Sequence, residues 1–228
     1  RFWALALHWF QDLRVQSLQP DSFSLANVIV ALDTAWQGAL SLLAGHDTLA
    51  DVVVYSAAIS SCERAHEWEA ALAVFDSMHR AGVSPNSITI CAALSALAAG
   101  GKWVEALQLL PLCRREIIAV NATIAACAKA SEWKTPLLLL SRLPEGVLPT
   151  VVTFSAVINA CQRAGEWQQC LALFQEMAQH GLAEEDSLAR NSCVKACAAA
   201  QQQQLAMQLL RRPTPARQKL RAPCGPQQ

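Results

Sequence analysis

The chain has 228 residues, of which 53% are hydrophobic and 16% charged, and this composition excludes a disordered chain because such chains lack the apolar content that offsets conformational entropy. No apolar run approaches the roughly 18 residues that span a bilayer, so no membrane segment is predicted. The 18 basic and 18 acidic residues balance, but five basic residues follow residue 210, which leaves residues 1–210 with 13 basic and 18 acidic groups. A net negative body argues against binding that depends mainly on neutralising phosphates.

Tryptophan recurs through the chain at spacings that indicate a helical repeat. Trp68, Trp103, Trp133 and Trp167 are separated by 35, 30 and 34 residues. The chain begins at Arg1 inside a helical pattern, without an initiator Met, so we expect a fragment whose import peptide lies elsewhere. The register predicts an array over residues 1–210, with these repeats: 1–21 (partial), 22–51, 52–86, 87–116, 117–150, 151–186 and 187–210 (partial).

Each repeat is predicted to contain two helices, here called helix A and helix B. In repeat 52–86, apolar residues from Tyr55 to Cys62 follow the spacing of one buried helical stripe, and a second stripe runs from Trp68 to Phe75. Gly82 and Pro85 then end helix B. Equivalent apolar columns recur in the other repeats, which predicts an all-α fold: an α-solenoid of stacked helix-turn-helix repeats.

Three segments depart from the regular pattern. Trp36 comes two places early, which predicts a deletion of two residues between the helices of repeat 22–51. Pro111 should end helix B early in repeat 87–116, and Pro136 lies about one turn inside another predicted helix B, where a proline is unfavourable. The basic, Pro-rich residues 211–228 are predicted to form a disordered tail, either a solvated terminus or a segment that touches phosphate.

Two segments closely resemble the pentatricopeptide repeat, a helical-hairpin family of about 35 residues per repeat. They are residues 52–86 and 151–186, and the resemblance rests on Tyr55 or Phe154 early in helix A, an Ala-x-x-Trp linker, and the run from Ala71 to Phe75. The competing tetratricopeptide family expects a Gly-Tyr pair in its first helix, which is missing here. The resemblance implies a right-handed superhelix that binds single-stranded RNA in mitochondrial or chloroplast RNA processing, stability, editing or translation, alongside other RNA-processing proteins.

The resemblance also implies specific contact residues, with about one base for each repeat. In the family, the fifth residue of helix A and the last residue of the repeat select the base, and the second residues of adjacent repeats sandwich it. Carried over by register, the base-selecting pairs are Ala26 with Asp51, Ser56 with Asn86, Cys91 with Glu116, Asn121 with Thr150, and Ser155 with Asp186, and Asn191 opens the last repeat. The sandwiching residues are Val53, Ile88, Ile118, Val152 and Leu188.

The family pattern reads these pairs as 5′-A-N-Y-G-3′, where N is unassigned and Y is a pyrimidine. Ser56 with Asn86 matches adenine, and Ser155 with Asp186 matches guanine, whose donors suit a carboxylate. The pair Cys91 and Glu116 matches no pattern. Ordinary roles remain open for all of these positions, because Ser, Asn and Asp are also favoured at helix caps, and small aliphatic residues also pack at helix starts.

The sequence shows no catalytic or metal-binding pattern, so we predict no enzyme activity, cofactor, metal or small-molecule substrate. Nine cysteines, without a disulfide pattern, favour free thiols in a reducing compartment. Cys193 and Cys197 lie one helical turn apart, but packing explains them better than a zinc site, because no further ligand pair lies nearby. The alternative to RNA binding is a protein-binding scaffold of the tetratricopeptide kind, and the negative body keeps that hypothesis open.

Overall fold

A computed structural model describes Leu5, His8, Phe10 and Asp12, and residues 20–33, 35–46, 49–144, 146–182 and 187–211. These residues form helices joined by short turns and contain no strand, so the predicted all-α class is confirmed. The chain divides into two compact regions, Arg1–Lys129 and Ala130–Gln228. The tail predicted for residues 211–228 lies, apart from Arg211, outside the described residues.

The N-terminal region contains seven α-helices in its described part and stacks them as helical hairpins. The A helices pack side by side in chain order, and each B helix packs against the A helix of its own repeat and that of the next. The helices are α1 (Ser22–Leu32), α2 (Trp36–Gly45), α3 (Val52–Arg64), α4 (Trp68–Arg80), α5 (Ser87–Gly100), α6 (Trp103–Leu109) and α7 (Ile117–Lys129), with a 3-10 helix at Leu110–Cys113 after α6.

The C-terminal region repeats this arrangement with five described helices. They are α8 (Lys134–Ser141), α9 (Val151–Ala164), α10 (Trp167–Gln179), α11 (Ser187–Ala199) and α12 (Gln203–Arg211). The A helices α9 and α11 pack against each other, α10 packs against both, and α12 packs on α11.

The A helices begin where a short polar side chain caps the free amides of the first turn. Asp21, Asp51, Asn86 and Thr150 all have extended backbones, and the side chain of each accepts a hydrogen bond from a backbone N–H two or three residues later. These caps are the last residues of the predicted repeats. The ordinary role foreseen for them, helix capping, is therefore present.

The recurring apolar columns form the core of both regions. In the eighth column Ile59, Leu94, Ile124 and Ile158 are fully buried and Val194 is half-buried. The eleventh column (Cys62, Leu97, Cys127, Cys161 and Cys197) is fully buried. Cys193 is buried as well, and its thiol donates to the backbone carbonyl of Cys170. The predicted packing role of these residues, cysteines included, is confirmed.

The three irregular segments each have a local structural explanation. Helix α1 spans 11 residues where α3 spans 13, which accounts for the early Trp36. Helix α6 ends at Leu109, and Pro111 lies in the following 3-10 helix. Pro136 is the third residue of α8, which begins at Lys134, so its missing amide removes no intrahelical hydrogen bond.

Neighbouring repeats approach closely where the end of α5 meets the start of α4. A Cβ added at Gly100 would lie 2.6 Å from Cδ1 and 2.7 Å from Cγ of Trp68, closer than atoms can pack. The ammonium nitrogen of Lys102 lies 4.3 Å from the centroid of the same ring. Gly100 thus makes room for a tryptophan that holds two repeats together.

Candidate nucleic-acid interface

The second residues of the A helices form a column of exposed apolar side chains. Ile88 is 68% exposed, Ile118 60% and Val152 62%, although each begins a helix whose other apolar residues are mostly buried. The other predicted sandwiching residues, Val53 and Leu188, are 53% and 63% exposed. Side chains this exposed add little to helix packing, and recurring exposed apolar residues mark binding surfaces.

Phe23 belongs to the same column and was missed by the sequence reasoning. It is the second residue of repeat 22–51 and is 68% exposed. The register could have identified Phe23, because Ser22 is the first residue of its repeat just as Val52 is the first residue of the next. A phenyl ring is also a better stacking surface for a base than an aliphatic side chain.

A hydrogen-bond network joins the predicted pair Ser56 and Asn86. The Ser56 hydroxyl donates to the Val52 carbonyl over 2.7 Å, and its oxygen lies 2.6 Å from that of Thr89. The Thr89 hydroxyl donates to Oδ1 of Asn86 over 2.8 Å. The backbone N–H of Thr89 donates to the same oxygen, also at 2.8 Å. Thr89 therefore positions both side chains, a role that spacing alone did not reveal.

This network determines which polar group of Asn86 remains for a ligand. Asn86 is exposed, and its Oδ1 is already occupied by two donors from Thr89. The amide NH₂ is then the group of this side chain best placed to contact a ligand, and it can only donate. Asp51 differs, because its Oδ1 caps α3 through Val53 and Val54 while its second oxygen is another acceptor.

The structure also brings together Cys91 and Glu116, the pair that matched no family pattern. Both line a cavity of about 350 Å³ in the N-terminal region. Burial, with contributions from Cys113 and Glu116, raises the pKa of the Cys91 thiol to about 11. Cys91 is therefore a neutral thiol at physiological pH.

Other predicted base-selecting residues are less accessible. Ala26 is 4% exposed and has no polar side-chain atom, so the structure gives no support to base selection by this residue. Ser155 is 7% exposed and its hydroxyl donates to the carbonyl of Val151. Thr150 exchanges hydrogen bonds with Thr153 in a capping box, which occupies its hydroxyl. Its role as a base selector is correspondingly weakened.

The remaining predicted residues lie at the starts of their A helices. Asn121 in α7 is half-buried, and Asn191 in α11 is exposed. Asn121 and Thr150 belong to different compact regions. Asp186 lies outside the described residues.

The described residues contain neither a metal-binding cluster nor a membrane-spanning helix. Within these ranges, no three His, Cys, Asp or Glu side chains are arranged to hold a metal ion. No helix there combines the length and apolar character needed to cross a bilayer.

Two sequence-family profiles match the chain at the places where the repeat pattern is clearest. One, described as the PPR repeat family, matches residues 50–99, and another, described as the PPR repeat, matches residues 152–182. Comparison with curated proteins found no match.

Solved structures share the fold. The pentatricopeptide repeat protein PPR10 in complex with an 18-nt psaJ RNA element aligns with a TM-score of 0.76 at 17% sequence identity, over 96% of this chain and 33% of that one. A cysteine-to-serine variant of PPR10 with the same RNA element gives the same values. The chain thus spans about a third of the length of these structures. The two matched segments show that the chain contains pentatricopeptide repeats, and the helical-hairpin fold is shared with these solved structures.

Proposed function

We propose that this chain binds single-stranded RNA in a base-selective manner through the starts of its A helices. The observation that carries the proposal is the exposed apolar column beside the polar fifth and last residues of the repeats. Apolar side chains can pack on base faces while neighbouring polar groups hydrogen-bond base edges. The fold match to PPR10, which was solved with RNA, supports this proposal.

Ser56 and Asn86 provide the best-defined base-reading site of the proposal. The NH₂ of Asn86 can donate to the ring acceptor of adenine, and the Ser56 hydroxyl can satisfy its exocyclic amine. The Thr89 network keeps both groups in place before RNA arrives. This preorganisation reduces the entropy lost on binding.

The test is filter binding of short RNAs that carry 5′-A-N-Y-G-3′ with the first base varied, using Asn86→Asp. Asp caps a helix as well as Asn does, so the fold is preserved. One carboxylate oxygen would keep the cap while the other accepts from the two donors of guanine, and the preference should move from A toward G by about tenfold, ~1.4 kcal/mol. Gln175→Glu on α10 adds the same charge at an exposed site of a B helix and should shift no preference.

The result also decides between RNA binding and the alternative function. The excess of acidic groups in residues 1–210 favours a protein-binding scaffold if RNA binds without base preference in both variants. We place the RNA-binding function in mitochondrial or chloroplast RNA metabolism on the family resemblance, together with other RNA-processing proteins. No catalytic step is part of this proposal.

A further inference from the structure

Repeat 87–116 contains two thiols in direct contact, Cys91 in α5 and Cys113 at the end of the 3-10 helix. Both cysteines are free. The thiol of Cys91 donates a hydrogen bond to the sulfur of Cys113, and the two elements that carry them pack against each other. A direct hydrogen bond leaves no heavy atom between the two sulfurs, so a disulfide requires only that they approach to about 2 Å. The contact therefore brings together the two reactants of a disulfide.

Access to solvent distinguishes this pair from a second pair of thiols in the C-terminal region. Cys161 and Cys170 also share a hydrogen bond, but both are 0% exposed. Cys91 is half-buried and lines the cavity described above, whereas Cys113 is 7% exposed. A small disulfide can therefore reach Cys91 in the folded chain. Thiol–disulfide exchange uses such an arrangement, in which one sulfur is accessible and a neighbouring thiol resolves the mixed disulfide.

The acidity of the two thiols determines how this pair exchanges. Burial raises the pKa of Cys91 to about 11 and also raises the pKa of Cys113. Because only the thiolate attacks, oxidation without a catalyst is slow at neutral pH. The same shifts favour the disulfide at equilibrium, because the reduced pair lacks the stabilised thiolate that makes some disulfides easy to reduce. The pair is thus suited to a slow response to the ambient thiol–disulfide balance rather than to a fast reaction with peroxide.

A disulfide at this place would act on the hairpin with the shortest helix B. Helix α6 has seven residues, the fewest of any α-helix in the described part of the chain, and Pro111 lies in the 3-10 helix that follows it. Because Cys113 is the last residue of that 3-10 helix, a bond to Cys91 would tie the end of the hairpin to its helix A. The bond would also close a loop of about 22 residues, which restricts the unfolded chain.

We propose that Cys91 and Cys113 form a reversible disulfide that stabilises repeat 87–116 under oxidising conditions. In exchange with glutathione disulfide, the Cys91 thiolate attacks one sulfur and releases a glutathione thiolate, which leaves a mixed disulfide on Cys91. The Cys113 thiolate then attacks the Cys91 sulfur and releases the second glutathione thiolate. The two cysteines lose two protons and two electrons, and one glutathione disulfide becomes two molecules of glutathione. This proposal does not depend on RNA binding.

The test is overnight incubation of the folded chain with glutathione disulfide at about pH 8, followed by peptide mass spectrometry without reduction. We expect a link between Cys91 and Cys113, seen as the loss of two hydrogen atoms and reversed by dithiothreitol, while Cys161 and Cys170 stay reduced. The melting temperature of the oxidised chain should exceed that of the reduced chain by roughly 5 °C.

Two serine variants separate the disulfide from general effects of oxidation. Cys113→Ser should abolish the difference in melting temperature between the oxidised and reduced forms. Cys170→Ser, which removes a thiol of the buried pair, should keep that difference. Each difference is taken within one variant, so a loss of stability caused by the substitution itself cancels.

Three results would overturn the proposal. If Cys91 remains a thiol, or carries only bound glutathione, while the chain unfolded in urea is oxidised under the same conditions, the pair does not close in the folded state. Linkage of Cys91 to a cysteine other than Cys113 would show that their contact is not the reactive one. A disulfide between Cys91 and Cys113 that leaves the melting temperature unchanged would show that it does not stabilise the repeat.

Discussion

Two isoleucines on one helix allow the binding surface to be separated from the core. Ile88 and Ile90 both lie in the first turn of α5, but Ile88 is 68% exposed and Ile90 only 5%. Replacing a buried isoleucine by alanine costs about 2–5 kcal/mol of stability. Since only about a third of Ile88 is buried, the same change there should cost roughly 1 kcal/mol.

RNA affinity should respond in the opposite order to stability, with the larger loss in Ile88→Ala. Ile88→Ala removes an apolar surface from two neighbouring base positions, so RNA affinity should fall by about fivefold, ~1 kcal/mol. Ile90→Ala should lower stability without changing the affinity of the folded fraction. Urea unfolding measures the free energy of unfolding. Filter binding without denaturant, at a temperature where both variants are folded, measures the RNA affinity.

The matched pair makes the reasoning refutable. Equal losses of stability in Ile88→Ala and Ile90→Ala would show that the second column is a packing column after all. Unmodified stability and unmodified RNA affinity in Ile88→Ala would show that this exposed column does not contact RNA. Either result would remove the main support for the proposed interface.

Two further predictions concern packing and thiol chemistry. Gly100→Ala should lower the free energy of unfolding by about 1–3 kcal/mol, because its methyl group would overlap the ring of Trp68. Gly45→Ala, with open space around it, should be neutral or slightly stabilising. Equal stability of the two variants in urea unfolding would contradict this prediction. Because only the thiolate reacts, Cys91, with a pKa of about 11, should react with iodoacetamide at pH 8 about 200-fold more slowly than an exposed cysteine of pKa near 8.5. Its reaction rate should rise about tenfold per pH unit up to pH 10. Peptide mass spectrometry measures that rate, and alkylation as fast as in a free peptide would show that the thiol is not shielded.

The periodicity of the sequence was sufficient to predict the fold, because each hairpin repeats the same pattern of apolar residues and helix caps. The eighth and eleventh columns are buried, as their apolar identity predicts, and the helices begin at residues such as Asp51 and Asn86 that cap them. Pro136 was predicted to be unfavourable and is accommodated, because α8 begins one residue after Trp133 and places the proline in the first turn. Such a shift depends on the helix boundary, which periodicity locates only approximately.

The candidate interface was only partly predictable. Register identified the exposed column, but it gave equal weight to Ala26, which is buried, and to Ser56, which joins a hydrogen-bond network. Exposure depends on how neighbouring helices pack, and the same register position can be covered in one repeat and open in another. Thr89 was missed because its hydroxyl meets the Ser56 hydroxyl of the preceding repeat.

The sequence by itself determined the repeat and the helix periodicity, because these depend on spacings along the chain, and the residues of two segments carried the resemblance to pentatricopeptide repeats. Only the tertiary structure decided that the hydroxyls of Ser56 and Thr89 meet and that Glu63 and Cys91 line one cavity. The physical reason is that hydrogen bonds and cavities are formed between side chains of adjacent repeats, about 25 to 35 residues apart, whose distances are fixed by helix packing rather than by sequence separation.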